Sequence, residues 1–328
     1  MKKVILIIFI LLLFIINGII IFGKEKETKK EPIPFILDMD FSSDVDDVCA
    51  LRLANNLHKS GVIELKAIML STSDINNMNL KAVNGLLNYD GIKNIQIGYS
   101  HQFIQDNSPY WNILTEYFDQ DNYFISDSVY LYRYIIVNSD KPVTICTTGY
   151  LNNIADLLQS PPDFISPLSG KELLKENNTK IYITGGEPDG WSNNLSFYEE
   201  SREATDYIIN NIEGLHFIQS DTGGAYVCGD NLQINEKYKD DPVTKSLWAF
   251  NGCPCGRFAW DPTAVWIASI QDYKYCNMNI ESINVEYNKE SGYNKFIITE
   301  NGIHYRIYRQ HTNFDFYKNI INNLIIPQ

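Results

Sequence analysis

Beyond residue 33, short apolar runs alternate with longer stretches in which apolar residues recur every three or four positions. Residues 34–40 form an apolar run ending in acids and read as a strand. Val48, Leu51, Leu53, Ala54 and Leu57 then fall mostly at helical spacing. The pattern predicts strands over 61–70, 95–99, 142–148, 179–184 and 215–220. Between them it predicts helices over 48–57, 79–89, 128–137, 151–158 and 202–212. Short apolar strands separated by helices indicate parallel β-α-β units with both sheet faces covered. After residue 280 the texture changes: 280–287, 294–299 and 304–308 predict antiparallel edge strands, and 314–324 a closing helix. The expected fold is α/β, an open, mostly parallel sheet wrapped by helices, with antiparallel strands near the C-terminus. No repeat or compositional break divides residues 32–328, which are expected to form one domain.

The front of the chain departs from this pattern. Residues 4–16 are an unbroken run of 13 apolar side chains behind Lys2 and Lys3; Asn17 and Gly18 interrupt it before 19–22 resume it. Thirteen residues suit the apolar region of a secretory signal, while 4–22 together are long enough to span a bilayer. Residues 1–23 are therefore expected to be a signal peptide or a membrane anchor, the latter tethering the protein through residues 4–22. Residues 24–31 would be a charged linker. The expected location is outside the cytoplasm: secreted, periplasmic or held at the membrane.

Charge narrows the partners. The formal net charge is −13, yet residues 1–30 carry six Lys and two Glu, leaving 21 Lys and Arg against 38 Asp and Glu in the rest. So acidic a body repels a phosphate backbone, which excludes nucleic-acid polymers. Small neutral or cationic ligands and metal ions fit. Six Cys are too few to build a fold on disulfides. Cys49 and Cys146 sit in apolar runs and read as core, and Cys253-Pro254-Cys255 lacks a second ligand pair for zinc.

In an open α/β sheet, ligands bind beyond the carboxyl ends of the strands. The first strand delivers Asp38, Asp40, Asp44, Asp46 and Asp47, five carboxylates in ten residues. Like charges that close call for a counter-charge, and a hard divalent cation is the natural one. As a solvated loop, the same stretch would place Asp46 and Asp47 at a helix N-terminus, where the dipole favours them. An EF-hand loop starting at Asp38 fails, because Ser43 and Cys49 stand where Gly and Glu are needed. A phosphatase of the Asp-x-Asp type would need a later Lys and a further acidic pair, for which the chain offers no convincing set.

Four motifs occur in order: Asp38-Met39-Asp40 with Asp46-Asp47; Thr147-Thr148-Gly149-Tyr150-Leu151-Asn152-Asn153-Ile154-Ala155; Thr184-Gly185-Gly186; and Trp260-Asp261-Pro262-Thr263-Ala264-Val265. In these, the chain from about residue 34 to its end resembles the inosine–uridine preferring nucleoside hydrolase family, in the form common among exported bacterial members. The resemblance implies a Ca²⁺ held by Asp40, Asp47, the main-chain carbonyl of Thr148 and Asp261. It gives Asp46 the ribose hydroxyls, Asp38 a supporting role behind the ligands, and Asp40 the part of general base. The implied activity is hydrolysis of the N-glycosidic bond of a nucleoside or related riboside, by water attack through an oxocarbenium-like transition state. Family resemblance also suggests a homo-oligomer.

The departures carry equal weight. In the segment expected to contact ribose, Asn194 replaces an acid, Ser196 replaces an Asn, and Phe197 keeps its place. Trp260 stands where some members carry the His that protonates the leaving base; Trp cannot donate that proton, but its face can stack on a base. Of the five His, only His101 falls at a strand end, so it is the candidate general acid. Asn76 and Asn77 follow another strand and are candidate sugar or water contacts. The rival reading is a catalytically impaired descendant, a surface protein binding Ca²⁺ and a riboside.

Overall fold

The apolar run after residue 32 becomes strand β1, Ile33–Met39, and its alternation decides what faces where. Phe35, Leu37 and Met39 enter one buried cluster and Ile36 the other, so both faces of the strand are covered. The computed structural model describes residues 31–328 except Ser43, Ile75, Phe103, Gln105, Asp106 and His311. The expected signal or anchor, residues 1–23, lies outside them, as does the linker up to residue 30. Among the described residues no helix is long and apolar enough to cross a membrane.

Twelve further strands follow: β2 (Ile63–Leu70), β3 (Gln96–Tyr99), β4 (Phe124–Asp127), β5 (Thr144–Thr147), β6 (Lys180–Thr184), β7 (Asp189–Trp191), β8 (His216–Ile218), β9 (Val227–Cys228), β10 (Arg257–Phe258), β11 (Met278–Asn288), β12 (Tyr293–Ile298) and β13 (His304–Arg309). Eleven form one sheet in the order β4-β3-β2-β1-β5-β6-β8-β13-β11-β12-β7. The pairs from β4 through β13 are parallel; β11, β12 and β7 add on antiparallel. β9 and β10 make a separate antiparallel pair. The fold is thus mixed α/β, mostly parallel, with antiparallel strands near the C-terminus, as the hydrophobic pattern implied.

Nine helices of eight or more residues are described: α1 (Asp46–Lys59), α2 (Met78–Tyr89), α3 (Ser128–Val137), α4 (Asn152–Gln159), α5 (Gly170–Asn177), α6 (Glu199–Asn211), α7 (Pro242–Asn251), α8 (Trp260–Ile270) and α9 (Phe314–Leu324). Helices α1, α2, α8 and α9 cover one sheet face, and α3 to α6 the other. Residues Pro32–Gln328 form one compact unit.

Two expectations need correction. The late strands are not edges: β13 lies inside the sheet, parallel to β8 and antiparallel to β11. The true edges, β4 and β7, are four and three residues long, too short to leave an alternation. Helices α5 and α7 also lay outside the predicted pattern. Their ends are nonetheless written in the sequence: Ser169 and Glu172 make a capping box, and Asp241 caps α7 with Pro242 in its first turn. Cys253 and Cys255 are joined as a disulfide, while Cys49, Cys146, Cys228 and Cys276 are free and buried.

One buried ion cluster fixes α1. Arg52 is fully buried and lies 2.9 Å from the carboxylate of Asp90, just past α2, and 3.0 Å from that of Asp241, the α7 cap. Asn55 donates to Asp90 at 2.7 Å. Removing one member would leave the others charged and uncompensated in a low dielectric. Arg52→Ala is expected to cost about 3–5 kcal/mol, read as a lower midpoint in urea unfolding.

Candidate functional site

The carboxyl end of β1 delivers the acids, and its neighbours hold them in place. The Thr148 amide donates to the Asp38 carbonyl at 2.7 Å, and the Ser71 amide to the Met39 carbonyl at 2.9 Å. Asp38 itself is fully buried on the α3–α4 side, accepting from the Tyr132 hydroxyl at 2.7 Å and Asn153 Nδ2 at 3.0 Å. Burial pushes its pKa up to about 7, while those two hydrogen bonds pull it down. It therefore braces the turn from behind. Phe41, next after Asp40, adopts a left-handed backbone with φ of 46°. Its ring is buried and its carbonyl accepts from Trp111 Nε1 at 2.9 Å, which holds that uncommon conformation.

Gly149 completes the cradle. A Cβ there would lie 2.3 Å from the Asp40 amide nitrogen and 2.6 Å from Ser71 Oγ, so only hydrogen fits. Helices α1 and α8 then bring their N-termini together: the Asp261 amide donates to Asp46 Oδ2 at 3.2 Å. Asp46, Asp47 and Asp261 occupy the first turns of these helices, where the dipoles favour negative charge.

Asp40, Asp47 and Asp261 converge. Each is buried, and each offers a carboxylate oxygen within 4.8 Å of the others. That spacing suits one cation, since oxygens on opposite sides of a Ca²⁺ ion stand roughly 4.8 Å apart. Asp47 Oδ1 is buried without a hydrogen-bond partner among the described residues. Burial, reinforced by the neighbouring carboxylates, raises the pKa values of Asp46, Asp47 and Asp261 well above the ordinary range. An orphaned oxygen and three oxygens at such spacing fit a hard divalent cation. Thr148 lines the same cavity, and its carbonyl accepts from Asn194 Nδ2 at 2.7 Å, which leaves that oxygen a second lone pair.

The cavity above the triad has a volume of about 530 Å³. Asp46, Asn194 and Trp260 line it, together with the three triad aspartates and Thr148. The sequence had not singled out Glu187, Trp191, Ser192 or Asp221, which also face it, and had given Arg257 no role. Asp221 follows β8, so the strand-end rule would have found it. Arg257 pairs with Asp44, its Nε 2.8 Å from Asp44 Oδ1, and its guanidinium lies 5.2 Å from the centre of the Trp260 ring. Gly224 lets the indole in, because a Cβ there would meet its Nε1 at 2.5 Å.

Other expected site residues lie elsewhere. His101 is 52% exposed, hydrogen-bonded to Asp127, and lines a different cavity of about 420 Å³ with Asp156 and Arg133. It does not line the cavity above the triad. Asn76 is exposed, and Asn77, at the α2 N-terminus, borders a third cavity beside Tyr99 and Ser100. Ser196 turns back to donate to the Ser192 carbonyl at 2.7 Å. Phe197 is 60% exposed against Tyr198. Neither lines the cavity. The lining comes from the ends of β1, β5, β6 and β8, from β7 and the residues after it, from β10 and from the first turns of α1 and α8, and among the described residues not from the ends of β2, β3 or β4.

No family model matches the chain, and no curated protein matches it in sequence. Solved structures do match. The inosine–uridine preferring nucleoside hydrolase from Bacillus anthracis aligns over 90% of this chain and 100% of its own, at 14% identity and a TM-score of 0.65. The purine-preferring ribonucleoside hydrolase from Gardnerella vaginalis aligns over 89% and 98%, at 14% identity and 0.64. The type III effector protein XopQ, solved with adenosine diphosphate ribose, aligns over 90% and 93%, at 11% identity and 0.65. The chain therefore has the nucleoside hydrolase fold.

Two variants test the geometry. Asp47→Ala removes a triad carboxylate and is expected to abolish divalent-cation binding, titrated with Ca²⁺ in calorimetry; unchanged affinity would refute the triad as a cation site. Gly149→Ala should weaken Ca²⁺ binding at least tenfold while far-UV circular dichroism stays unchanged, because the added methyl displaces the Asp40 backbone. In the parent chain, affinity should fall as the pH is lowered, since protons compete for carboxylates of raised pKa.

Proposed function

We propose that the protein is a Ca²⁺-dependent N-ribohydrolase, cleaving the bond between ribose and base in a nucleoside or related riboside. The observation that carries the proposal is the buried Asp40–Asp47–Asp261 triad at the floor of a cavity of about 530 Å³. That volume is in the range of small-ligand sites. The fold it shares with nucleoside hydrolases supports the same reading.

Asp40, Asp47, Asp261 and the Thr148 carbonyl would hold the ion. When bound, a divalent cation there supplies Lewis-acid charge that eases water ionisation and attracts ribose oxygens. Asp40 accepts the proton that the attacking water loses. Asp46, anchored by the Asp261 amide, accepts hydrogen bonds from ribose hydroxyls and orients the ring. Asn194 is fixed by the Thr148 and Thr184 carbonyls, at 2.7 and 3.1 Å, and sets the cavity wall at the sugar. As the glycosidic bond lengthens, the sugar gains positive charge, which the surrounding carboxylates stabilise. Export through residues 1–23 and assembly into a homo-oligomer belong to the same proposal.

The purified full chain is expected to release ribose from at least one of inosine, uridine and nicotinamide riboside. Activity should vanish with a chelator and return with Ca²⁺. Asp46→Ala should lower kcat/KM at least a hundredfold. Ca²⁺ binding with no turnover of any riboside would instead favour an impaired binding protein.

A further inference from the structure

Resting on the glycosidase reading, we infer that the cavity prefers N-ribosides whose base carries a formal positive charge, such as pyridinium ribosides and N7-alkylated purine ribosides. Three observations lead there.

The first is charge. Besides the triad, Asp44, Asp46, Glu187 and Asp221 line the cavity, and among the described residues Arg257 is the one cationic side chain in its lining. Arg257 is spent on Asp44, and Asp221 has Arg309 at 3.5 Å. Asp46 and Glu187 have no ion-pair partner within the described residues. A doubly charged ion also leaves one of three triad carboxylates uncompensated. Such a cleft concentrates cations and repels phosphates. Nucleotides and dinucleotide fragments are disfavoured on the same ground.

The second is the lining's chemistry. Among the described residues it contains no His, Lys, Tyr or Cys. A neutral purine or pyrimidine departs as an anion unless a group protonates it, and these are the side chains that commonly do so besides carboxyls. A cationic base needs no such donor. The electron pair of the breaking C1′–N bond falls onto the charged ring nitrogen, and the base leaves neutral. Water gives its oxygen to C1′; the surplus proton passes to Asp40 and then to solvent. The cationic riboside and water become ribose, neutral base and a proton.

The third is aromatic. Trp191 and Trp260 both line the cavity, and indole is the strongest side-chain partner for a cation. Trp260 already carries the Arg257 guanidinium. Trp191, the last residue of β7, is 62% exposed at the cavity wall, its Nε1 donating to the Ser291 carbonyl at 3.2 Å and its ring edge-on to Tyr293.

Two matched pairs test this on the Ca²⁺-loaded full chain. Nicotinamide riboside and nicotinic acid riboside share the pyridinium but differ by a carboxylate. 7-Methylguanosine and guanosine differ by the charge on the leaving base. In each pair kcat/KM, divided by the uncatalysed rate, should be at least tenfold higher for the species of more positive charge. Raising the salt should narrow the first ratio. Glu187→Gln should narrow it about threefold by raising KM for nicotinamide riboside. Were Glu187 instead a proton donor, guanosine would match or exceed its methylated partner, and the inference would be overturned. Turnover of guanosine or inosine without cationic preference would leave the glycosidase reading standing and sink this one. No turnover of the four would overturn this inference, and no turnover of inosine and uridine as well would remove both readings.

Discussion

The rest of this structure depends on one electrostatic problem: several carboxylates are buried together where the dielectric cannot dissipate their repulsion. Left alone, Asp46, Asp47 and Asp261 would protonate or push the chain apart. The fold answers from several sides. Two helix N-termini meet at the cluster with their dipoles directed toward it, Arg257 takes Asp44, and the triad is spaced for a divalent ion. The same arrangement produces the proposed chemistry, because a site built to hold excess negative charge favours a sugar that becomes positive.

Holding the helix ends in place is a task for the opposite side of the same helix. Arg52 lies within α1, whose first residues are Asp46 and Asp47, and it ties that helix to Asp90 and Asp241. The parallel sheet contributes in a similar way. With β2 and β5 on either side, β1 is locked in register, so the Met39–Asp40 turn is set by backbone hydrogen bonds from Ser71 and Thr148. Gly149 shows how little slack remains.

Much of this was legible in the sequence, for physical reasons that particular residues make plain. Fully buried parallel strands write themselves as apolar runs, so β1, β2, β5 and β6 were evident, and the strand-end rule pointed to the acids between Asp38 and Asp47, while Asp261 was singled out by motif resemblance alone. β4 and β7 were not, because three or four residues cannot display a period; they are strands only because a neighbour pairs with them. The Arg257–Asp44 pair spans 213 positions, and no local pattern reports such a contact. His101 shows where the rule misleads. It does follow a strand, but β3 lies two places from β1 in the sheet, and its loop opens onto another cavity. Ser196 and Phe197 belong to the right segment, yet a short helix turns them toward Ser192 and Tyr198.

The cavity is also mechanically uneven. Its floor hangs from β1, hydrogen-bonded on both sides deep within the sheet, whereas Trp191 stands on β7, an edge strand joined to β12 by three residue pairs. Opening free energy scales with the pairing and packing that must be lost, so the rim yields long before the floor does. Distortion of the wall at Trp191 thus requires only a three-residue ribbon to part, and it leaves the aspartates in position. On the proposed function, exchange with solvent and fidelity of the reacting geometry would belong to different parts of the sheet, and a change that speeds one need not blur the other.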